Sequence, residues 1–149
     1  MRTFGLVCIS LVTALSAGTA SAETYSGTLC NASGNPPNTG YNQFGTFNGS
    51  TTAALAVDCG GVTSGAVSLV TLTVYDRSPT DDVRCTILLL NAAGNAFFST
   101  SVATSGFSSG PFTLAAATPS IAAAVVLECS IPAFNAQNGA SHITTYTIQ

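Results

Sequence analysis

The 149-residue chain contains no tryptophan and one histidine, and only 6% of its residues are charged. It also has no lysine. Beyond residue 22 the only basic side chains are Arg77 and Arg84, set against Glu23, Asp58, Asp76, Asp81, Asp82 and Glu128. The balance of about −4 disfavours nucleic acid or an anionic membrane as a partner. There is no C-x-x-C pair, and His142 lies far from every cysteine, so a tetrahedral zinc site is not expected. No run of about 18 apolar residues occurs, so no transmembrane segment is expected after signal cleavage. Low charge alone would favour disorder, but 46% of the residues are hydrophobic and many are Val, Ile, Leu or Phe. The polar surface is left to Ser, Thr, Asn and Gly.

The chain opens with a short basic start, Met1-Arg2, followed by an apolar run from Phe4 to Leu15 and the small-residue pattern Ala20-Ser21-Ala22. That is a secretory signal peptide, residues 1–22, with an apolar run too short to anchor the protein. Cys8 lies inside it. Residues 23–149 are expected to form a single domain acting in the periplasm or outside the cell. The absence of lysine beside abundant alanine and glycine points to a GC-rich bacterial source.

Four cysteines remain: Cys30, Cys59, Cys85 and Cys129. An even number in an exported chain reads as two disulfides. Three pairings exist, and the one adopted is Cys30–Cys59 with Cys85–Cys129. Their loops of about 29 and 44 residues make each bond worth roughly 3.5–4 kcal/mol in the loop-closure treatment.

Period-two alternation dominates the chain. Thr52 to Cys59 places Ala53, Leu55, Val57 and Cys59 on one side, and Gly60-Gly61 is expected to break that strand. Val67 to Tyr75 and Val83 to Leu90 are the strongest strands and read as a central hairpin, with Asp76 and Arg84 facing each other where the strands separate. Weaker strands are expected at Thr24–Cys30, Gln43–Phe47, Ala96–Val102, Phe112–Ala116 and His142–Ile148. Asn31 to Tyr41 is expected as loop, from its glycines and Pro36-Pro37, and Asn91 to Asn95 as a turn. Ile121 to Ile131 has helix-favouring alanines but alternates between Pro119 and Pro132, and is assigned as strand. Eight or nine short strands with no helix imply an all-β, antiparallel sandwich of Ig-like or jelly-roll topology.

Several residues invite a chemical reading. Asp76, Asp81 and Asp82 lie within seven residues and are candidate calcium ligands, although no EF-hand spacing is present. The same stretch also reads as a turn in which Arg77 and Arg84 pair with the acids, and that reading is preferred. Gly106-Phe107-Ser108-Ser109-Gly110 matches G-x-S-x-G, with Glu128 and His142 following in triad order. Pro111 and another β run follow it where a nucleophile elbow requires a helix, so no catalytic residue is assigned. A carboxylate pair for glycoside chemistry would have to come from Asp58, Glu128 and the connection loop, but nothing in the sequence brings them together and there is no tryptophan to stack a sugar, so neither a lectin nor a glycosidase is expected. Tyr25, Tyr41, Phe44 and Phe47 flank the Asn/Gly/Pro loop and offer a binding surface or packing. Asn31-Ala32-Ser33 and Asn48-Gly49-Ser50 are glycosylation sequons that matter only in a eukaryotic secretory pathway.

Five phrases occur together: V-D-C at Val57–Cys59, V-Y-D-R-S at Val74–Ser78, D-V-R-C-T at Asp82–Thr86, L-E-C-S-I-P at Leu127–Pro132 and S-H-I-T-T-Y at Ser141–Tyr146. In these the chain resembles small exported bacterial β-rich proteins of unknown function with two disulfides. The resemblance implies export and the sandwich, and no activity. In composition the chain also looks like chaperone–usher pilins, departing from them in its four cysteines and in having no evident donor strand before Cys30. The expectation is an exported, non-enzymatic structural, surface or binding module without a cofactor. Its alternatives are a pilin-like subunit, or a calcium-dependent binding protein or hydrolase using the Asp76–Asp82 loop.

Overall fold

Alternation between inward apolar and outward polar side chains governs nearly every element. In the computed structural model the structure describes residues 22–33, 38–63 and 66–149, so all of the expected signal peptide but Ala22 lies outside the described residues. The described residues form eleven strands: β1 Glu23–Ser26, β2 Asn31–Ala32, β3 Thr39–Asn42, β4 Gly45–Asn48, β5 Leu55–Val62, β6 Ala66–Tyr75, β7 Arg84–Leu90, β8 Ala96–Ala103, β9 Phe112–Ile121, β10 Ala124–Ile131 and β11 His142–Ile148. One 3₁₀ turn, Gly27–Leu29, follows β1.

The strands build two antiparallel sheets. Sheet 1 has the order β3-β4-β11-β6-β9, with β1 added alongside β11, and sheet 2 has the order β2-β5-β10-β7-β8. From β4 onward only β7 and β8 are consecutive in the chain and adjacent in one sheet; every other step crosses between sheets. That is jelly-roll connectivity rather than Ig-like. The inner faces meet in one core that includes Val70, Leu72, Val74, Ile143 and Tyr146 from sheet 1 and Val57, Ile87, Leu89, Val125 and Leu127 from sheet 2. Each such aliphatic side chain contributes about 1.5–3 kcal/mol by leaving water.

The expected central hairpin is not formed. β6 lies in sheet 1 and β7 in sheet 2, so residues 76–83 are a crossover between layers. Asp76 therefore does not face Arg84 at an exposed tip but is fully buried. Gly60-Gly61 does not end its strand either, because β10 pairs with β5 through both glycines as far as Val62. A Cβ at Gly61 would lie 2.5 Å from Ile148 Cδ1 and 3.3 Å from the Tyr25 ring, so glycine is what admits those side chains. Across the sandwich the Tyr146 hydroxyl donates to the Gly60 carbonyl at 2.7 Å. In the stretch expected as loop, Asn31–Ala32 and Thr39–Asn42 pair as β2 and β3, since short edge strands tolerate its glycines. Val67, which strict alternation would put on the face opposite Val70, is buried with it. Ser68 and Leu69 both donate to the Gln149 carbonyl, at 2.6 and 3.1 Å, and that bulge restores Val67 to the core.

Cys30–Cys59 and Cys85–Cys129 are disulfide-bonded, with Cα separations of 4.1 and 4.0 Å. Cys85 stands directly opposite Cys129 on β7 and β10. Cys30 continues the register in which Asn31 faces Asp58. Both bonds therefore staple sheet 2 sideways, and packing and hydrogen bonds hold the layers together. One such tie is Asn48, 1% exposed, whose side-chain amide donates to the carbonyls of Ile131 and Pro132 at 3.0 and 3.1 Å. A sequon asparagine in that position is closed to modification.

Candidate functional site

The two outer faces differ in kind. On sheet 1, Ser26, Thr145, Thr73 and Thr113 stand in register across four strands, with Thr24, Thr147 and Thr71 in the neighbouring row. These rows carry hydroxyls and no charge. On sheet 2 the corresponding positions gather acids.

Residues directly opposite each other in adjacent strands project to the same face. Asn31 faces Asp58, Asp58 faces Glu128, Glu128 faces Thr86, and Thr86 faces Ser101. Five polar side chains thus form one row across the full width of sheet 2. A parallel row toward the crossover holds Ala56, Ser130, Arg84 and Ala103. The row on the other side holds Gly60, Val126, Leu88 and Ser99. The polar row therefore lies between an apolar lane and Arg84.

Asp58 and Glu128 are exposed, and their Cβ atoms are about 5 Å apart in this register. The Ser33 hydroxyl donates to Asp58 Oδ2 at 2.8 Å and fixes that carboxylate. Thr86 and Ser101 share a hydroxyl contact of 3.1 Å. Arg84 leans away to pair with Asp82 at 3.4 Å, its side chain 71% exposed. Over Ser33, Asp58, Arg84, Thr86, Glu128 and Ser130 lies an open hollow of about 510 Å³. A second, of about 380 Å³, shares Arg84 and Ser130 with it and reaches Asp81, Asp82 and Pro132. Together they make a groove along the sheet and over its end.

The three aspartates considered for calcium do not converge. Asp76 accepts from the amides of Ser78 (3.0 Å) and Val83 (3.1 Å) and from the hydroxyls of Ser141 (3.3 Å) and Thr104, so both its oxygens are occupied by protein donors. Asp81 accepts from the Thr80 hydroxyl, and Asp82 from the Gly106 amide and Arg84. Among the described residues no three His, Cys, Asp or Glu side chains form a metal-binding group.

Ser108 lies in the β8–β9 connection with strands on both sides. Its amide donates to the Asp76 carbonyl, and its own carbonyl accepts from Arg77 at 3.1 Å. His142 begins β11 on the other sheet from Glu128. Its ring stacks on Tyr75 at 4.6 Å, with Phe44 tilted over it at 6.3 Å and Arg77 5.3 Å from the Tyr75 ring centre. Burial holds the imidazole below its usual range, and Arg77 pushes in the same direction against the hydrogen bond to the Ala140 carbonyl. Phe44 and Tyr41 are exposed, whereas Tyr25 stacks on Tyr146 at 5.1 Å.

Pairing is what the sequence did not reveal: Asp58 and Glu128 are 70 positions apart. The available signal was that each acid immediately precedes a core cysteine, in V-D-C and L-E-C, so both strands turn an acid outward.

No family model and no curated protein matches the sequence. The fold is similar to the CBM36-1 domain of a multidomain xylanase from the hindgut metagenome of Trinervitermes trinervoides, with TM-score 0.52 and 13% identity over 87% of this chain and 97% of that one. It is also similar to part of a family two carbohydrate esterase from Cellvibrio japonicus, with TM-score 0.53 and 13% identity over 87% of this chain and 33% of that one. A third likeness, to the enzymatically active domain of tailspike protein 4 of bacteriophage CBA120, has TM-score 0.51 and 12% identity over 89% of this chain and 20% of that one. At these identities the likeness establishes the β-sandwich fold.

Proposed function

We propose that this protein is an exported, non-catalytic binding module whose ligand is a neutral carbohydrate held on the outer face of sheet 2. The observation that carries this reading is the Asp58–Glu128 pair, directly opposed across β5 and β10 in an open hollow of the sheet face. Like charges opposite each other in a ladder weaken a sheet. A chain with so few charges places two of them there, flanked by Ser33, Thr86 and Ser130. Carboxylates accept paired hydroxyl donors, and the hydroxyl side chains both donate and accept, which suits a polyol. The net charge favours a neutral ligand over an anionic one. The domain from the xylanase and the carbohydrate esterase, which share the fold, supply carbohydrate as a ligand class worth testing. Two disulfides support export to an oxidising compartment, and no helix among the described residues is long and apolar enough to cross a membrane.

The test is affinity electrophoresis of the disulfide-intact protein through gels containing soluble neutral polysaccharides. Retardation by at least one polymer, lost in Asp58→Asn and Glu128→Gln, is the expected result. Unretarded migration in every polymer, or retardation unchanged in both variants, would refute the reading.

A further inference from the structure

Resting on the carbohydrate reading, we infer that the ligand is a linear β-linked glycan lying across the strands of sheet 2, perpendicular to them, with one sugar seated on each strand. Three features of the face fix this orientation.

The first is spacing. The row Asn31–Asp58–Glu128–Thr86–Ser101 places one polar side chain on each of β2, β5, β10, β7 and β8. Adjacent strands lie about 4.8 Å apart, so the row is about 19 Å long. An extended β-linked glycan advances by about one strand spacing, roughly 5 Å, per sugar, and so stays in step with the row. A chain running along a strand would instead meet side chains of one face about 6.7 Å apart and lose step after the second sugar.

The second is the division of the face into lanes. On β10 and β7 the polar row is flanked, two residues away, by Val126 and Leu88, which face each other and are only partly exposed, while the same lane holds Gly60 on β5 and Ser99 on β8. A pyranose has hydroxyl edges and an apolar C–H face. Lying across the strands, each sugar directs hydroxyls to the polar row, and the two sugars over β10 and β7 set carbon against Val126 and Leu88. A chain along a strand would put alternate sugars wholly in one lane or the other.

The third is twist. Neighbouring strands rotate by about 20° relative to each other, so the row turns as it crosses the sheet. A flexible single chain follows such a row, and a flat crystalline polymer does not. The ligand is therefore a soluble or amorphous chain, and the ends of the row, Asn31 and Ser101, are its outermost contacts.

Isothermal titration of the disulfide-intact protein with cello- and xylo-oligosaccharides of two to six sugars tests this. In the series that binds, affinity should rise about threefold to tenfold per added sugar until four or five are present, then level off. Ser101→Ala and Asn31→Ala are exposed changes at the two ends. Each should weaken the longest ligands several-fold and leave the disaccharide unaffected. Affinity that stays level beyond the disaccharide, or end variants that weaken short and long ligands alike, would overturn the transverse orientation while leaving carbohydrate binding intact. Absence of binding at every length, together with unretarded migration in the gels, would overturn both.

Discussion

The Asp76 carboxylate accepts the Val83 amide at 3.1 Å, so one buried side chain at the start of the crossover between the sheets also holds its end. Ser78, Thr104 and Ser141 donate to the same group, tying the exit of β8 and the approach to β11 into one knot. Replacing Asp76 by alanine leaves two buried amides and two hydroxyls without this acceptor. Asp76→Ala should cost about 3 kcal/mol or more, read from urea unfolding. Asp76→Asn should not restore stability, because its NH₂ would face donors. A loss below about 1 kcal/mol for both would show that the knot does not hold the crossover.

His142 makes stability depend on pH. Its folded-state pKa is lowered by burial, so near and below the usual value of about 6.5 the unfolded chain binds the proton more readily. Stability from this group is therefore full above about pH 6.5 and is lost as pH falls through the window between the two values. Tyr75, Phe44 and the Arg77 guanidinium surround the ring and offer the imidazolium no carboxylate. The urea midpoint should fall between about pH 7 and pH 5 more steeply in the wild-type chain than in His142→Phe. Parallel profiles would remove His142 as the source.

The two disulfides should act separately. They close loops of 29 and 44 residues between neighbouring strands of sheet 2. Paired Cys→Ala replacement should cost about 3.5 kcal/mol for Cys30–Cys59 and about 4 kcal/mol for Cys85–Cys129 in the loop-closure treatment. Denaturant titration of the two double variants checks the magnitudes, and non-reducing peptide mapping checks the pairing. A reduced protein as stable as the oxidised one would contradict it.

The Asp58–Glu128 pair should separate stability from binding. Neutralising either member relieves repulsion between residues opposed in the ladder. Glu128→Gln should therefore unfold at an unchanged or slightly higher temperature while losing retardation in polysaccharide gels. A variant that loses binding only because it unfolds early would show that the pair serves the fold instead.

Gly61 should tolerate no side chain of moderate size. A Cβ there meets Ile148 Cδ1 at 2.5 Å and comes close to the Tyr25 ring. Gly61→Val should cost about 1–3 kcal/mol through overpacking, whereas Gly60→Val, which points into open space, should be nearly neutral by thermal unfolding. Equal effects at the two positions would contradict the account of why this strand continues through its glycines.

The layer structure was legible because side-chain alternation is local. Val70, Leu72 and Val74 had to share a face, as did Val83, Cys85, Ile87 and Leu89, and each set lies in the core. The Asn91–Asn95 turn was equally local: Asn91 Oδ1 accepts the Ala93 and Asn95 amides, and Gly94 takes φ +80°. Errors arose where distant strands decide. Asp76 looked like a turn residue because turns are rich in aspartate, and no local signal says that β6 and β7 belong to different sheets. The candidate site lay in the same blind spot. Asp58 and Glu128 each point outward by alternation, but only the pairing of β5 with β10 puts them side by side.

Local patterning alone makes this chain alternate into strands, puts its cysteines on apolar faces and leaves few charges to cover the surface. Those properties follow from neighbours one or two residues away, where the period of a strand is set. Which sheet each strand joins, the burial of Asp76 in its knot and the alignment of five polar side chains across sheet 2 are set by long-range packing. Register between segments tens of residues apart is chosen by how a whole core closes, and no short stretch of sequence carries it.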